Sequence, residues 1–179
     1  MKYIALLRGI NVGGNNRVPM KELKSCFEAL GFDNVQTYIN SGNVIFETSM
    51  VNKEDIVNLL EKAIEDAFGF RVICSVISAE ELSEALNNAP EWWGVDAGSS
   101  HNALFVIAPS TPEIVLEEVG KTKSEYEKYV AYGQVIFWSA PVKTFGRTGF
   151  SKIVGTPAYR SITVRNYNTT KKLVMLSQA

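Results

Sequence analysis

Histidine and cysteine are scarce in this chain, and their scarcity excludes several common kinds of site. There is one histidine, His101, and there are two cysteines, Cys26 and Cys74. A single histidine leaves no second ring for a His-based metal site or a proton relay, and the chain contains neither Cys-x-x-Cys nor His-Glu-x-x-His. We therefore predict no metal site and no cofactor. Both cysteines fall on apolar faces, which predicts buried free thiols rather than a disulfide.

Long apolar segments are absent as well. No apolar run approaches the roughly 20 residues needed to span a bilayer. The first eight residues contain only five uncharged apolar or aromatic residues between Lys2 and Arg8, which is too short for a signal-peptide core. These features predict a cytoplasmic protein without a membrane partner. A chain of 179 residues with 46% apolar content is long and apolar enough to bury a globular core.

The charges are unevenly distributed along the chain. Residues 1–120 contain 8 Lys and Arg against 17 Asp and Glu, whereas residues 121–179 contain 10 against 2. Such an asymmetry is typical of proteins with an anionic partner. It is equally consistent with two parts of one chain that neutralise each other.

Residues 1–77 show the order strand, helix, hairpin, helix, strand. The apolar run 3–8 ends at a glycine, helical repeats occupy 19–31 and 56–69, and alternating residues flank the turn Ser41-Gly42-Asn43 before a last alternating run at 71–77. This is the order of a ferredoxin-like unit, with both helices on one face of a four-stranded antiparallel sheet. The other face would be too apolar to remain in water, so we expect the rest of the chain to cover part of it. Its predicted residues, or their alternates, are Tyr3, Leu7, Tyr38, Ile45, Ile73 and Ile77.

Residues 101–179 repeat the order strand, helix, strand, strand. We predict strands at 102–108, 125–131 and 134–139, a helix at 111–119, an irregular stretch at 140–163 and a final helix at about 164–177. Between the two sets, Ser78 and Glu81 have the spacing of a helix N-terminus, and Pro90 ends that helix. The predicted fold class is α+β, with two ferredoxin-like sandwiches of antiparallel sheets and a C-terminal helix. The predicted division is 1–77, a helix and linker at 78–100, and 101–179.

A glycine-rich loop between the first strand and the first helix is the strongest candidate binding element. Its sequence is Gly9-Ile10-Asn11-Val12-Gly13-Gly14-Asn15-Asn16-Arg17, and Arg8 precedes it. Glycines allow the backbone to approach a phosphate, a helix N-terminus attracts anions, and guanidinium groups match phosphate oxygens. Gly9 and Gly14 have the glycine spacing of a P-loop, but asparagines replace its Lys and Ser/Thr, which excludes an ATPase of that class. The alternative is a turn-rich connector without a ligand.

Two further stretches near the C-terminus carry polar and cationic residues. The predicted helix start Thr163–Lys172 is rich in weak helix formers, and helical spacing would place Arg165, Asn168 and Thr169 on one face. Its polar groups would serve a ligand, or else cap the helix and dock it locally. In Lys143–Lys152, cations alternate with aromatics and glycines, which suits either nucleic-acid binding or a basic surface loop.

With these residues laid out, the chain resembles a family of bacterial conserved hypothetical proteins, the domain of unknown function 1697. The likeness lies in three stretches, Leu6–Gly14, Thr37–Val44 and Arg165–Thr169, which together span nearly the whole chain. The family usually has Trp where this chain has Tyr167, and often Gln where it has Asn40. The resemblance implies two ferredoxin-like halves and no established activity.

The leading functional hypothesis is that the glycine-rich loop and the Arg165 region line one cleft, which binds a nucleotide or a nucleic-acid backbone through its phosphates. The candidate ligand-binding residues are Arg8, Asn11, Gly13, Gly14, Arg17, Ser41, Asn43, Arg165, Asn166, Asn168 and Thr169. The alternative is a non-catalytic interaction or assembly module whose polar motifs are structural. A third hypothesis, an RNA-recognition module, needs aromatics on the third strand, where Asn43–Phe46 offers at most one. No nucleophile–base pair is evident from the spacing, so no catalytic residue and no reaction is assigned.

Overall fold

The computed structural model describes residues 1–179 and contains two antiparallel sheets of four strands each. The first sheet and its helices come from residues 2–78. Their order is β1 (Lys2–Leu7), α1 (Met20–Ala29), β2 (Asp33–Tyr38), β3 (Asn43–Glu47), α2 (Lys53–Phe68) and β4 (Cys74–Ser78). The strands lie in the order β2-β3-β1-β4, which is the ferredoxin-like arrangement and confirms the prediction for this part of the chain.

The second sheet has the same strand order with one helix missing. After α3 (Ala79–Asn87), the chain forms β5 (Ser99–Val106), α4 (Pro112–Val119), β6 (Lys128–Tyr132), β7 (Val135–Pro141), β8 (Ile162–Asn166) and α5 (Tyr167–Gln178). The order β6-β7-β5-β8 repeats that of the first sheet, strand for strand. Three short 3-10 helices at Val142–Arg147, Phe150–Gly155 and Pro157–Ser161 occupy the chain position that α2 has in the first set. The predicted repeat of the ferredoxin-like order is therefore confirmed.

Each sheet has its own hydrophobic core on the side of its helices. In the first, Phe46 lies beside Phe27 and Phe32, with ring centroids 5.4 and 4.7 Å away. In the second, Trp138 is fully buried and stacks on Phe150 at 5.5 Å. Aromatic side chains contribute a large share of core burial energy, and these clusters hold each layer of helices to its sheet.

The face away from the helices was predicted as one set of residues or their alternates, and in β1 the alternate residue lies on that face. Tyr3 and Leu7 lie in the helix-side core, whereas Ile4 pairs with Ile45 and Ile77 across the strands on the opposite face. An apolar run that is buried on both faces has no alternation, so its sequence does not determine its register. Ile4, Ile45 and Ile77 are nevertheless buried, as the apolar character of that face requires.

The prediction of a helix from about residue 164 was wrong at its start. Ile162–Asn166 forms β8, which pairs with β5 from Val106↔Ile162 to Asn102↔Asn166, and the helix begins at Tyr167. Ile162, Thr163 and Val164 are β-branched, and such side chains favour a pleated, half-buried strand over a helix.

The ends of α3 and α2 follow the sequence signals. Ser78 Oγ accepts a hydrogen bond from the Glu81 N–H at 3.1 Å, and the Glu81 carboxylate accepts one from the Ser78 N–H at 2.9 Å, which is the predicted capping box. Asn52 caps α2 through its side-chain oxygen, and Gly69 ends that helix at φ 78°.

The contacts divide the chain into two compact units. The first consists of Met1–Leu82 together with Lys172–Ala179, and the second of Ser83–Lys171. In this division one boundary falls inside α3, between Leu82 and Ser83, whereas the predicted boundary preceded that helix. The last turns of α5 belong to the first unit. No helix combines the length and the apolar character that crossing a membrane requires.

Candidate functional site

The glycine-rich loop is a hairpin closed by its own backbone. Asn15 N–H donates to the Val12 carbonyl at 3.0 Å, and Asn11 N–H donates to the Asn16 carbonyl at 3.0 Å. Gly13 and Gly14, at φ 58° and 78°, are the central residues of the turn. Positive φ at both central positions defines a type I′ turn, which glycine adopts without strain. The loop is thus a preformed structure.

Asn11 fastens this hairpin to its surroundings. Its side-chain N–H₂ donates to the carbonyls of Val18 and Asn40, at 2.9 and 2.8 Å, and its oxygen accepts the Val18 N–H at 2.8 Å. Asn11 itself has φ 54°, a conformation that asparagine tolerates better than most residues. The amide predicted to orient a ligand is therefore engaged by three backbone groups.

The turn at Ser41–Asn43 packs beneath the loop, so the structure brings these two predicted regions together. Gly42 has φ 84°, and a Cβ there would come within 2.7 Å of Ile10 Cδ1 and 2.8 Å of Leu7 Cβ. Asn43 is fully buried and its N–H₂ donates to the Tyr38 carbonyl and to Ser41 Oγ, at 2.8 and 3.0 Å. Asn43 and Gly42 thus have local structural roles that the sequence did not reveal.

The tip of the hairpin presents backbone donors to solvent. Gly13 and Gly14 are exposed, a Cβ at either would meet open space, and no hydrogen bond within the protein uses either N–H. Arg17 is exposed and Arg8 is half-buried at the two ends of the loop. These four residues are the part of the predicted site whose geometry suits an anion.

Arg165 lies in β8 and not on a helix face, which corrects its predicted grouping with Asn168 and Thr169. It is 6% exposed, and its guanidinium donates to Thr163 Oγ1 and to the Val164 carbonyl, both at 2.9 Å. Burial lowers the pKa of Arg165 to about 10, because an apolar environment disfavours the charged form. Its environment is that of a structural residue.

The remaining predicted residues of this region begin α5. Asn166 Oδ1 accepts the Thr169 N–H at 2.8 Å, and Thr170 Oγ1 donates to the Asn166 carbonyl at 2.8 Å. Thr169 is buried, whereas Asn166 and Asn168 are exposed. Asn166 therefore caps the helix locally, which was the alternative explanation for this stretch. These residues belong to the second unit and the glycine-rich loop to the first, so the predicted shared cleft stays a prediction.

The basic stretch Lys143–Lys152 has exposed cations and half-buried aromatic rings. Lys143, Arg147 and Lys152 are exposed. The rings of Phe145 and Phe150 pack edge to face at 5.7 Å, and Phe150 also stacks on Trp138. Because these two rings pack on each other and Phe150 also packs on Trp138, they offer less surface for stacking on bases, and the stretch fits a basic surface loop better than a nucleic-acid platform.

A buried carboxylate that the sequence analysis did not identify organises this stretch. Glu127 is 4% exposed and accepts hydrogen bonds from the N–H groups of Lys123, Gly149 and Phe150, at 2.9, 2.9 and 3.3 Å, and from Trp138 Nε1 at 3.3 Å. Four donors compensate the desolvation of one carboxylate. The signal was available, since Glu125 and Glu127 are the only acidic residues after position 120.

His101 forms a hydrogen-bonded pair with Ser139 across β5 and β7. Its Nδ1 faces Ser139 Oγ, and its Nε2 lies 2.7 Å from the Asp96 carbonyl, which the protonated Nε2 is placed to donate to. Ser139 is 7% exposed on a central strand, and its hydroxyl is hydrogen-bonded to His101. His101 is half-buried, and its interactions are structural.

A polar groove of about 700 Å³ lies at the edge of the first sheet. Its ionic groups are paired, Lys2 with Glu47 at 3.6 Å and Lys24 with Glu28 at 3.7 Å. None of the residues predicted to bind a ligand lines this groove.

Comparison with known proteins identifies the family but no activity. A family described as "Protein of unknown function (DUF1697)" matches residues 1–137. A solved structure, that of a conserved bacterial protein from Streptococcus pneumoniae, shares 34% sequence identity with this chain, with a TM-score of 0.86 and 97% of each chain covered. No curated protein matches this chain. The matched part includes the glycine-rich loop and the Ser41–Asn43 turn, and the chain belongs to the DUF1697 family of proteins of unknown function.

Proposed function

We propose that the tip of the glycine-rich loop binds the phosphate of a nucleotide or of a nucleic-acid backbone. The observation that carries the proposal is the pair of exposed N–H groups at Gly13 and Gly14, held in a preformed type I′ turn without an acceptor in the protein. Successive backbone N–H groups in a turn form a concave anion-binding feature, and a preformed loop loses little conformational entropy when a ligand binds.

Charge at both ends of the loop supports a phosphate rather than a neutral ligand. Arg8 and Arg17 flank the turn, and guanidinium–phosphate hydrogen bonds are stronger than bonds between neutral groups. Asn11, Ser41 and Asn43 act indirectly in this proposal, by fixing the loop on the turn beneath it. Arg165 is assigned no ligand contact, because its guanidinium is buried among protein acceptors.

The proposal is tested by calorimetry of the full chain with ATP, GTP, AMP, inorganic phosphate and a short single-stranded RNA. We expect Arg17→Ala to weaken binding about tenfold, which corresponds to the loss of about 1.4 kcal/mol. Lys62→Ala is the matched control, since Lys62 is an exposed cation on α2, and it leaves the affinity unchanged. If none of these ligands binds at concentrations up to about 1 mM, the proposal is contradicted. A dissociation constant of that size corresponds to a binding free energy of about −4 kcal/mol.

The burial of Arg165 favours a second candidate, a non-catalytic interaction module whose polar motifs are structural. Arg165, Asn11 and Asn43 all direct their side chains to backbone or hydroxyl groups of the protein. Recognition of RNA bases on a sheet face has less support, because Phe105 and Phe137 are fully buried and so are Ile4 and Ile45. The cytoplasmic location predicted from the sequence is retained as part of this proposal.

A further inference from the structure

The edge strand β6 is unpaired on its outer side. It is the first strand in the order β6-β7-β5-β8, and four of its five residues, from Lys128 to Ala131, are exposed. Tyr129 and Val130 are 37% and 42% exposed, and the Tyr129 ring packs on that of Trp138 with the centroids 4.7 Å apart. An open edge with apolar side chains is a template on which another extended segment can pair.

The register determines which backbone groups of β6 are available. The Val106 N–H donates to the Gln134 carbonyl, so the backbone N–H and C=O groups of Ile136, two residues further on, also point toward β5. The backbone groups of the alternate residues of β7 point toward β6, and these residues are Val135, Phe137 and Ser139. Their partners Tyr132, Val130 and Lys128 therefore bond to β7. The N–H and C=O groups of Tyr129 and Ala131 then point outward, in the correct spacing for a further strand.

The surroundings of the edge are cationic. Lys121, Lys123 and Lys128 are exposed at its start, and Thr122 Oγ1 lies 3.3 Å from the Tyr129 hydroxyl, which places this turn beside the strand. Arg147 donates to the Tyr126 hydroxyl at 3.1 Å from the neighbouring 3-10 helix. The Glu127 carboxylate is buried and bonded to N–H donors, so it reduces the local positive charge without being exposed to a ligand itself.

Exposed acidic groups near the start of β6 are fewer than the exposed cations, although two of them, Glu125 and Asp96, lie close to Lys128. Glu125 is exposed in the preceding turn, and Glu84 accepts a hydrogen bond from the Tyr132 hydroxyl at the far end of the strand. Asp96 has a pKa lowered mainly by hydrogen bonds from Ser99 and the Gly98 N–H, with smaller contributions from His101 and then Lys128, so this carboxylate lies near the cationic end. The end of β6 that begins at Lys128 is therefore the cationic end.

We propose that β6 is a docking edge for an extended acidic segment of a partner protein, which pairs with Tyr129 and Ala131 as a fifth strand. Main-chain hydrogen bonds to these two residues hold the segment, and its carboxylates lie beside the lysines at the start of β6. On the other face, its apolar side chains pack beside the Tyr129 ring.

The experiment measures binding of the full chain to a labelled peptide of alternating glutamate and valine by fluorescence anisotropy. Ala131→Pro removes an outward N–H that has no partner in the protein, and proline is tolerated at such edge positions, so the fold is retained. We expect the dissociation constant to rise at least tenfold. Ala131→Thr, which keeps the N–H and suits a strand, is the matched control and leaves binding unchanged.

Two changes on the peptide test the same bonds without altering the protein. A peptide that is N-methylated at alternate residues loses its main-chain donors, and a peptide with lysine in place of glutamate loses its charge complementarity. Both are expected to bind at least tenfold more weakly. Equal binding of the N-methylated peptide, or no binding of the parent peptide, overturns the proposal. So does a concentration-dependent dimer that Ala131→Pro abolishes, or a short RNA that binds this edge in place of the peptide.

Discussion

At the scale of single residues, the polar side chains that the sequence marks as candidate ligands are mostly used by the protein itself. Asn11 bonds to three backbone groups, Asn43 is fully buried, and Arg165 is 6% exposed between a hydroxyl and a carbonyl. A buried polar group that loses its partner has a high free-energy cost, so each of these residues constrains the local fold. The hydrogen bonds that these three residues make within the protein therefore explain their presence without a ligand.

Replacement of Arg165 tests this structural role. Arg165→Ala removes a buried side chain together with its hydrogen bonds to the Thr163 hydroxyl and the Val164 carbonyl, so we expect the free energy of unfolding to fall by about 2–4 kcal/mol. Arg160→Ala, at an exposed position of the same cationic region, is expected to change it by less than about 0.5 kcal/mol. Urea denaturation of the three proteins measures both effects. If Arg165→Ala abolishes the binding of a ligand without lowering the stability, the structural role assigned to Arg165 is contradicted.

At the scale of elements, the sequence predicts best where local chemistry decides the structure. The capping box at Ser78 and Glu81 and the end of α2 at Gly69 were readable because the cap residues act on their own helix. The strand Ile162–Asn166 was missed because its pairing partner β5 lies about sixty positions earlier, and pairing at that range leaves no local pattern beyond β-branching. The face of β1 was left open because an apolar run without alternation fits either register.

The candidate site was predictable to a smaller degree than the fold. The glycines at 13 and 14 indicated a turn with positive φ, and the structure contains it. The position of Asn11 between Val18 and Asn40, and the burial of Glu127 under four donors, depend on segments that meet only after folding. Hydrogen-bond partners of this kind are set by tertiary structure and have no signature in residue spacing.

The start of α3 makes a prediction about pH. Although burial opposes ionisation of Glu81, hydrogen bonds from Lys53 and from Ser78 hold its pKa below the ordinary value of 4.5. A carboxylate with a depressed pKa in the folded state contributes stability above its unfolded value, and that stability is lost as the pH falls through the folded value. Glu81→Gln keeps an acceptor for the cap but removes the charge.

We therefore expect Glu81→Gln to be less stable than the parent protein at pH 7, by about 0.5 kcal/mol, since the pair with Lys53 is partly exposed. The difference should shrink as the pH is lowered below 4.5 and should vanish once Glu81 is protonated in both states. Unfolding free energies measured between pH 7 and pH 3 (about four units around the carboxyl range) give the profile. Glu80→Gln, at the exposed neighbouring position, is the control. If the stability difference between Glu81→Gln and the parent protein does not vary with pH, it arises from packing and not from the charge of Glu81.

At the scale of the whole molecule, one helix belongs to both units. The helix α5 begins in the second unit at Tyr167 and ends in the first unit at Gln178, because the division falls after Lys171. Leu173 in its second half is fully buried, whereas Met175 is 60% exposed. All three tryptophans lie at positions 92, 93 and 138 and therefore report only on the second unit, while circular dichroism reports on both.

Two variants of α5, one at Leu173 and one at Met175, test whether the two units unfold together. Leu173→Ala removes a buried side chain, and we expect it to lower the free energy of unfolding by about 2–5 kcal/mol, while Met175→Ala changes it by less than about 0.5 kcal/mol. Because a helix is cooperative along its length, loosening its second half weakens the first half as well. The tryptophan and circular-dichroism transitions of Leu173→Ala are therefore expected to shift by the same amount. A tryptophan transition that stays at the parent midpoint while circular dichroism shifts would mean that the two units unfold independently, and that α5 joins them only as a covalent connection.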